Sequence, residues 1–162
     1  MSKAIDIARY FLSLDTDENM FGRNLVSRQG KTFCEGNARL NKYLHIAQNL
    51  YIAKTGTKLF SEDLYAFDNG AVVPAVREKY TSLRRSKNYV LAIPDVYIDF
   101  LNKVYKVLMN ATLDELIEIS HEDGEWLARN PHRGNQRMNS LARAEEYKVQ
   151  YADMLKIMDR MA

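Results

Sequence analysis

The chain has 162 residues, of which 46% are apolar, and this length is typical of one globular domain. Its formal net charge of +2 is too small to predict nucleic-acid binding by itself, and its single cysteine, Cys34, excludes an internal disulfide. We therefore expect one domain over residues 1–162, in the cytoplasm. The N-terminus has neither the apolar run of a signal peptide nor the length of a membrane span, so we expect no membrane partner.

Apolar residues at helical spacing predict a first helix from Ser2, its N-cap, to about Leu14. Residues 15–36 contain three glycines and no sustained periodicity, which predicts a long loop with room for a short hairpin. Asn37 is the predicted N-cap of the strongest helix, which continues to the stop signal at Gly56.

The segment from residue 58 to residue 73 differs from the helical parts of the chain. Aromatic and branched side chains surround the turn sequence Asp-Asn-Gly at 68–70, which predicts a small strand or hairpin insertion over 58–73. Pro74 suits the first position of a helix that ends near Ser82, because a proline lacks a donor that would be unpaired there. The basic residues 84–88 are expected to form a connector.

The second half again predicts helices. Pro94 opens a helix that ends near Asn110, and Thr112 with Glu115 forms a capping box for the next one. A final helix is predicted over about 140–160. The sequence has no internal repeat and no linker. It therefore predicts a mainly α, single-domain multi-helix bundle that contains the small β insertion.

The sequence offers little catalytic chemistry. His45, His121 and His132 lack the spacing that brings two metal ligands onto one helical face, and there is no nucleophile elbow or phosphate loop. We therefore expect no metal, no cofactor and no enzymatic activity. An enzyme would instead need His121, Glu122 and Cys34 to meet in a cleft. A histidine at the end of a helix is the simpler interpretation of His121.

Cations concentrate in two segments, residues 77–87 and 129–143. A protein that used them to contact phosphates would bind DNA or RNA with steep salt dependence. Such runs are more often solvated loops, and neither long helix has the cations and amides of a recognition helix on one face. We therefore expect a protein partner first and a nucleic-acid partner second.

Four ordered segments carry patterns that occur together in one protein family. Residues 38–51 are similar to its helix pattern Leu-x-Lys-Leu-Leu-Tyr-aromatic-Ala-Gln, and residues 56–67 to Gly-x-x-Leu-Phe followed by an acidic residue and Ala-Trp. Residues 68–74 resemble Tyr-Gly-Pro-Val-x-Pro, although Ala71 stands at the first proline. Residues 116–126 resemble the closing element Leu-x-x-x-Thr-His-x-x-x-x-Trp. Together, these segments resemble the SocA-like Panacea antitoxins, which are often phage-associated.

The resemblance places the family motif in about residues 1–130. Its matching positions are Leu40, Lys42, Leu44, Ala47, Gln48, Phe60, Gly70, Val72, Pro74, His121 and Trp126. It implies an antitoxin that neutralises, by direct binding, a cognate toxin encoded beside it. The SocA branch also delivers its toxin to a protease, which makes a protease a further expected partner. No reactive group is needed for either role.

Several motif positions have a purely structural explanation, since a glycine permits a tight turn, a proline starts a helix and a tryptophan fills volume. We therefore expect partner specificity to lie in the long loop, the basic connector and the last helix. The candidate partner-surface residues are Arg77, Arg84, Arg85, Lys87, Arg133 and Arg137. Arginine is enriched among residues that contribute most to binding.

Overall fold

The computed structural model describes residues 1–86, 92–130 and 134–161. Within these residues the chain forms eight α-helices, one short 3-10 helix and two small antiparallel sheets, which confirms the predicted fold class. The helices are α1 (Ala4–Leu14), α2 (Glu35–Thr55), α3 (Pro74–Arg85), α4 (Asp95–Leu108), α5 (Leu113–His121), α6 (Gly124–Arg129), α7 (Ala144–Gln150) and α8 (Ala152–Asp159). The strands are β1 (Leu25–Arg28), β2 (Lys31–Cys34), β3 (Tyr65–Phe67), β4 (Gly70–Val72) and β5 (Gln136–Arg137), and the 3-10 helix is η1 (Ser140–Arg143).

Helix α2 is the centre of the fold, and α1, α3, α4, α5 and α7 all pack against it. It begins at Glu35, two residues before the predicted cap at Asn37. Residues 40–50 are buried without exception, so the predicted apolar stripe accounts for only one side of the helix. The polar side chains buried on α2 are Asn41, Lys42, His45, Gln48 and Asn49.

The beginning of α1 differs from the prediction. Ser2 is not its N-cap, because the backbone of Ser2 pairs with that of Phe60 in an isolated bridge. Lys3 occupies the cap position without a side-chain hydrogen bond. The N–H of Ala4 instead donates to the carboxylate of Glu62 at 3.0 Å, so a distant residue satisfies this helix end.

Other helix signals are confirmed. Gly56 ends α2 with a left-handed backbone (φ 77°), as expected of a C-terminal glycine. Thr112 and Glu115 form both hydrogen bonds of the capping box at the start of α5. Pro74 is the first residue of α3, although α3 continues to Arg85 and so includes part of the predicted connector.

Both small sheets lie beside α2. Strands β1 and β2 form a hairpin inside the predicted long loop, and β3 and β4 form the predicted insertion. Strand β5 pairs with the other edge of β3, with Arg137 opposite Tyr65. The sequence analysis missed β5, because a two-residue strand is too short to show the alternation that marks a strand.

The predicted C-terminal helix over 140–160 is wrong in detail, because the structure divides it into η1, α7 and α8. The division between α7 and α8 falls at Tyr151, whose backbone angles (φ −101°, ψ 12°) depart from helical values. The Tyr151 side chain is buried there and its hydroxyl accepts a hydrogen bond from Asn49 Nδ2 at 3.2 Å. A core contact, which local periodicity does not report, coincides with the break.

The apolar core takes side chains from α1 to α8. At its centre, the Tyr43 ring makes edge contacts with Phe11 and Phe21, with ring centroids 5.6 and 5.0 Å apart. Such edge-to-face geometry is the favoured arrangement of aromatic rings. None of the helices in the described part of the chain is long and apolar enough to span a bilayer.

Candidate functional site

A pocket of about 450 Å³ opens between β2, the first turns of α2, the β3–β4 turn and the start of α3. Asn41 connects two of these walls, because its Oδ1 accepts the Val73 N–H at 3.0 Å while its Nδ2 donates to the Asn37 carbonyl at 3.1 Å. The hairpin is thereby fixed against α2. The pocket therefore has walls that the fold itself positions.

Lys42 lies in the wall of this pocket and is only 2% exposed. Among the described residues, no hydrogen-bond acceptor or carboxylate pairs with its ammonium group. Burial lowers the pKa of Lys42 from 10.5 to about 8, since desolvation disfavours the charged form. Because cations this deeply buried are normally paired in proteins, Lys42 is the most unusual residue of the pocket.

Gly70 makes room for the Lys42 side chain. Its φ of 126° lies in a region that side-chain-bearing residues rarely adopt. A Cβ added there would lie 2.5 Å from Lys42 Nζ and 2.5 Å from Ser120 Oγ. Two motif positions distant in sequence, Lys42 and Gly70, are therefore in contact, and the glycine is needed where it stands.

The outer part of the pocket carries further charges. The guanidinium of Arg77 lies over the Phe67 ring, 5.1 Å from its centroid. Lys31 forms an exposed ion pair with Asp68. Among the described residues, three cations and one carboxylate line the pocket, so its net charge is positive.

The cleft that an enzyme would need does not form from the predicted residues. Cys34 lines the pocket, but its Sγ points to the Gly22 carbonyl at 3.6 Å. His121 stacks on Trp126, with ring centroids 4.0 Å apart and planes within 6°. Within residues 1–86, 92–130 and 134–161, no hydrogen bond or ion pair joins Cys34, His121 and Glu122, and no three His, Cys, Asp or Glu side chains converge as metal ligands.

A second polar cluster lies in the core around Asp123 and contacts the middle of α2. Its carboxylate accepts hydrogen bonds from His45 Nε2 at 2.6 Å, Asn49 Nδ2 at 2.9 Å and the Tyr147 hydroxyl at 2.8 Å. Burial acts to raise the pKa of Asp123, but these donors outweigh it and the pKa is lowered. Because Asp123 and His45 are fully buried, the cluster holds α2, α6 and α7 together rather than facing a ligand.

The remaining motif positions serve the fold. Gln48 accepts the Leu59 N–H at 2.7 Å and donates to the Phe60 carbonyl at 3.0 Å, which fixes the segment after α2. The indole of Trp126 donates to the Phe67 carbonyl at 2.9 Å, and burial lowers the pKa of its stacking partner His121. The buried apolar motif positions are Leu40, Leu44, Ala47, Phe60 and Val72.

Arg84 must be removed from the predicted partner surface. It is 7% exposed because α3 extends through it and directs it to the end of α1. Its guanidinium pairs with Asp15 at 3.1 Å and with Glu18 at 3.3 Å, and donates to the Leu12 carbonyl at 3.2 Å. A buried arginine that is paired with two carboxylates links helices and is not available to a partner protein.

Of the other predicted surface cations, three are exposed and two lie outside the described residues. Arg77 and Arg85 are exposed on α3, and the Arg137 side chain is 71% exposed with Asp63 at 3.7 Å. The eight residues that separate Arg77 from Arg85 correspond to about 12 Å along the helix. Lys87 and Arg133 lie outside the described residues.

The sequence analysis missed the Asp123 cluster and the contact between Lys42 and Gly70. A local signal existed for Asp123, which is the N-cap of α6 and accepts the Glu125 N–H at 2.9 Å. Its partner His45 lies 78 residues away, and no local pattern reports such a distance. Lys42 was recognised as a motif position, but its burial depends on the helices around α2.

Comparison with protein families gives a match over the central part of the chain. The sequence model of the family described as "Antitoxin SocA-like, Panacea domain" matches residues 40–127, more than half of the chain. The matched region includes α2 from Leu40 onward, the β3–β4 hairpin, α3, α4 and α5, and thus the pocket residues Lys42 and Gly70. Comparison with curated proteins and with solved structures gives no match.

Proposed function

The chain belongs to the SocA-like Panacea antitoxin family, and from this membership we propose that it neutralises a cognate toxin by direct binding, in the cytoplasm. The family match over residues 40–127 is the observation that carries the proposal. Neutralisation by binding needs no catalytic group. A toxin protein is thus the proposed partner.

The proposed binding surface consists of exposed arginines and exposed apolar side chains on neighbouring elements. Arg137 lies on β5, while Leu127 on α6 is 52% exposed and Leu141 in η1 is 43% exposed. Helix α6 contacts both η1 and β3, the strand that pairs with β5. Arginine and apolar groups together are typical of interfaces, which cover about 800 Å² of each partner at standard size.

The test is rescue of growth together with complex formation. The open reading frame adjacent to the gene for this chain would be induced in cells with and without this protein, and the two proteins would then be co-purified. We expect the neighbour to stop growth alone, and growth to return when the stable complex forms. A neighbour without toxicity, or rescue without a complex, would contradict direct neutralisation.

A variant pair locates the surface. Arg137→Glu reverses a charge on the proposed surface, and Lys156→Glu reverses an exposed charge on α8. Both side chains are exposed, so neither change should unfold the protein. We expect Arg137→Glu to weaken rescue and co-purification and Lys156→Glu to preserve both. Equal effects of the two variants would show that the binding surface lies elsewhere.

A further inference from the structure

The pocket beside α2 contains a cation, Lys42, for which the described residues supply no counter-charge. Lys42 Nζ offers three N–H donors, and none has an acceptor among the described residues. Asn41 is already used by Val73 and Asn37, whereas Ser120 Oγ, which lies beside Gly70 as Lys42 Nζ does, also has no hydrogen-bond partner among the described residues. A donor group in a pocket wall that lacks a protein acceptor is the complement of a ligand that brings one.

We propose that this pocket binds an oxyanion, a carboxylate or a phosphate group, with Lys42 as its main donor and Arg77 as a second cation at the opening. This inference does not depend on the proposed toxin. It follows from the position of Lys42, a residue 2% exposed whose ammonium group has no partner among the described residues, in the wall of a 450 Å³ pocket.

Charge excludes the other simple ligands. A metal ion or an organic cation would approach Lys31, Lys42 and Arg77 against a single carboxylate, Asp68, which is already paired with Lys31. A wholly apolar ligand would leave the Lys42 ammonium unpaired and cut off from water, which carries a desolvation cost. An oxyanion avoids both the charge repulsion and the unpaired ammonium group. Its oxygens accept hydrogen bonds from Lys42, and its negative charge balances the positive charge of the pocket.

The pocket also limits the body of the ligand. Its volume falls in the ordinary range for small-molecule sites, about 300 to 1,000 Å³. Apolar side chains from Phe33, Phe67 and Ile117 contribute to its walls. Arg77 is positioned over the Phe67 ring, so its guanidinium is held near the opening before any ligand arrives. The fitting ligand therefore has an oxyanion at one end and an apolar or aromatic body of modest size.

The primary test titrates the full chain with inorganic phosphate and with succinate at constant ionic strength, and follows the Nζ and Cε resonances of Lys42 by NMR. We expect a saturable change for at least one probe, and a rise in the Lys42 pKa when the probe is bound. Lys42→Met should weaken binding about tenfold or more, since a charge-assisted hydrogen bond is lost. An unsaturable response to both probes would overturn the proposal.

Two variants control this experiment. Arg77→Met alters an exposed side chain at the opening, so it should fold normally and bind the probe less tightly. Lys156→Met removes an exposed charge of the same type far along the chain and should bind as the unaltered protein does. If Lys156→Met weakens binding as much as Lys42→Met, the probe binds by general charge and the pocket is not its site.

Two sources could provide the oxyanion, a free small molecule or an acidic group of a partner protein. The complex with the adjacent gene product distinguishes them. If the partner supplies the group, Lys42→Met weakens co-purification and excess phosphate releases the partner. If a small molecule supplies it, Lys42→Met weakens phosphate binding and leaves the complex intact. A failure of the complex to form would contradict the antitoxin proposal alone, because the phosphate titration does not use the partner.

Discussion

Lys42 is buried on folding without a paired anion among the described residues, so folding has to remove much of the water around its ammonium group. The pKa of Lys42, lowered from 10.5 to about 8 by burial, reflects the same cost. Substitutions that would relieve such a cost are chemically simple, because methionine has a similar length and no charge. Charged groups that line a pocket despite the free-energy cost of their burial are typical of functional sites.

The first prediction concerns Lys42→Met at neutral pH. We expect the free energy of unfolding at pH 7 to increase by roughly 1 to 3 kcal/mol, because the variant no longer buries an unpaired charge. The lowered pKa of Lys42 also makes the free energy of unfolding depend on pH. Above pH 8 the native protein releases the Lys42 proton while the unfolded chain keeps it, so the stability of the unaltered protein should rise with pH.

This rise should occupy the window from about pH 8 to about 9.5, the range between the lowered Lys42 pKa and the titration of unfolded tyrosines. Burial raises the pKa of Tyr43 and Tyr147 in the native state. Above about pH 9.5 the tyrosines of the unfolded chain therefore ionise first, and the stability of the native protein should fall again. Urea unfolding at pH 7 and pH 9.5 measures both effects. The Lys156→Met variant should still become more stable between pH 7 and pH 9.5. If the Lys42→Met variant does so as well, the increase does not come from Lys42.

At the scale of elements, Arg84 determines how α3 meets the end of α1. Its guanidinium is held by Asp15 and by the Leu12 carbonyl, and Asp15 in turn accepts the backbone N–H of Phe21 at 2.7 Å. The pair is buried, with side chains 6% and 3% exposed. Removal of one partner of such a pair leaves the other charge uncompensated.

The neighbouring arginines of α3 therefore provide a matched comparison. Arg84→Met should lower the free energy of unfolding by about 3 kcal/mol, because Asp15 would remain buried without its cation. Arg85→Met changes an exposed side chain without a partner among the described residues, so it should alter stability by less than about 0.5 kcal/mol. Thermal and urea unfolding of the two variants measure the difference. Equal losses would contradict the burial of Arg84.

Arg84 and Arg85 also show which features of the structure can be predicted from the sequence and which cannot. Local signals predicted most helices correctly, because a capping box, a proline at a first position and a terminal glycine act within one turn. They could not separate Arg84 from Arg85, since burial depends on where α1 packs. The same limit applies to the candidate site, where the motif identified Lys42 and Gly70 without showing that they touch.

At the scale of the whole molecule, the core extends beyond the part that the family match covers. The match ends at residue 127, yet Tyr147 and Tyr151 are buried against α2. Their hydroxyl groups complete the hydrogen bonds around Asp123 and Asn49. The C-terminal elements therefore pack against the central helix, and we propose that the chain folds as one cooperative domain.

Truncation after Asn130 tests this proposal, because the remaining residues contain the entire family match. We expect this shortened chain to lose its cooperative unfolding transition, since Asp123 would lack its tyrosine donor and one side of α2 would be exposed to water. Circular dichroism during urea titration and dispersion of the amide NMR signals measure the outcome. A chain shortened only after Asp159 is the control and should unfold in a single transition. If both chains unfold cooperatively at similar urea concentrations, the matched region is an autonomous domain, and α7 and α8 are an attachment whose packing contributes little to folding.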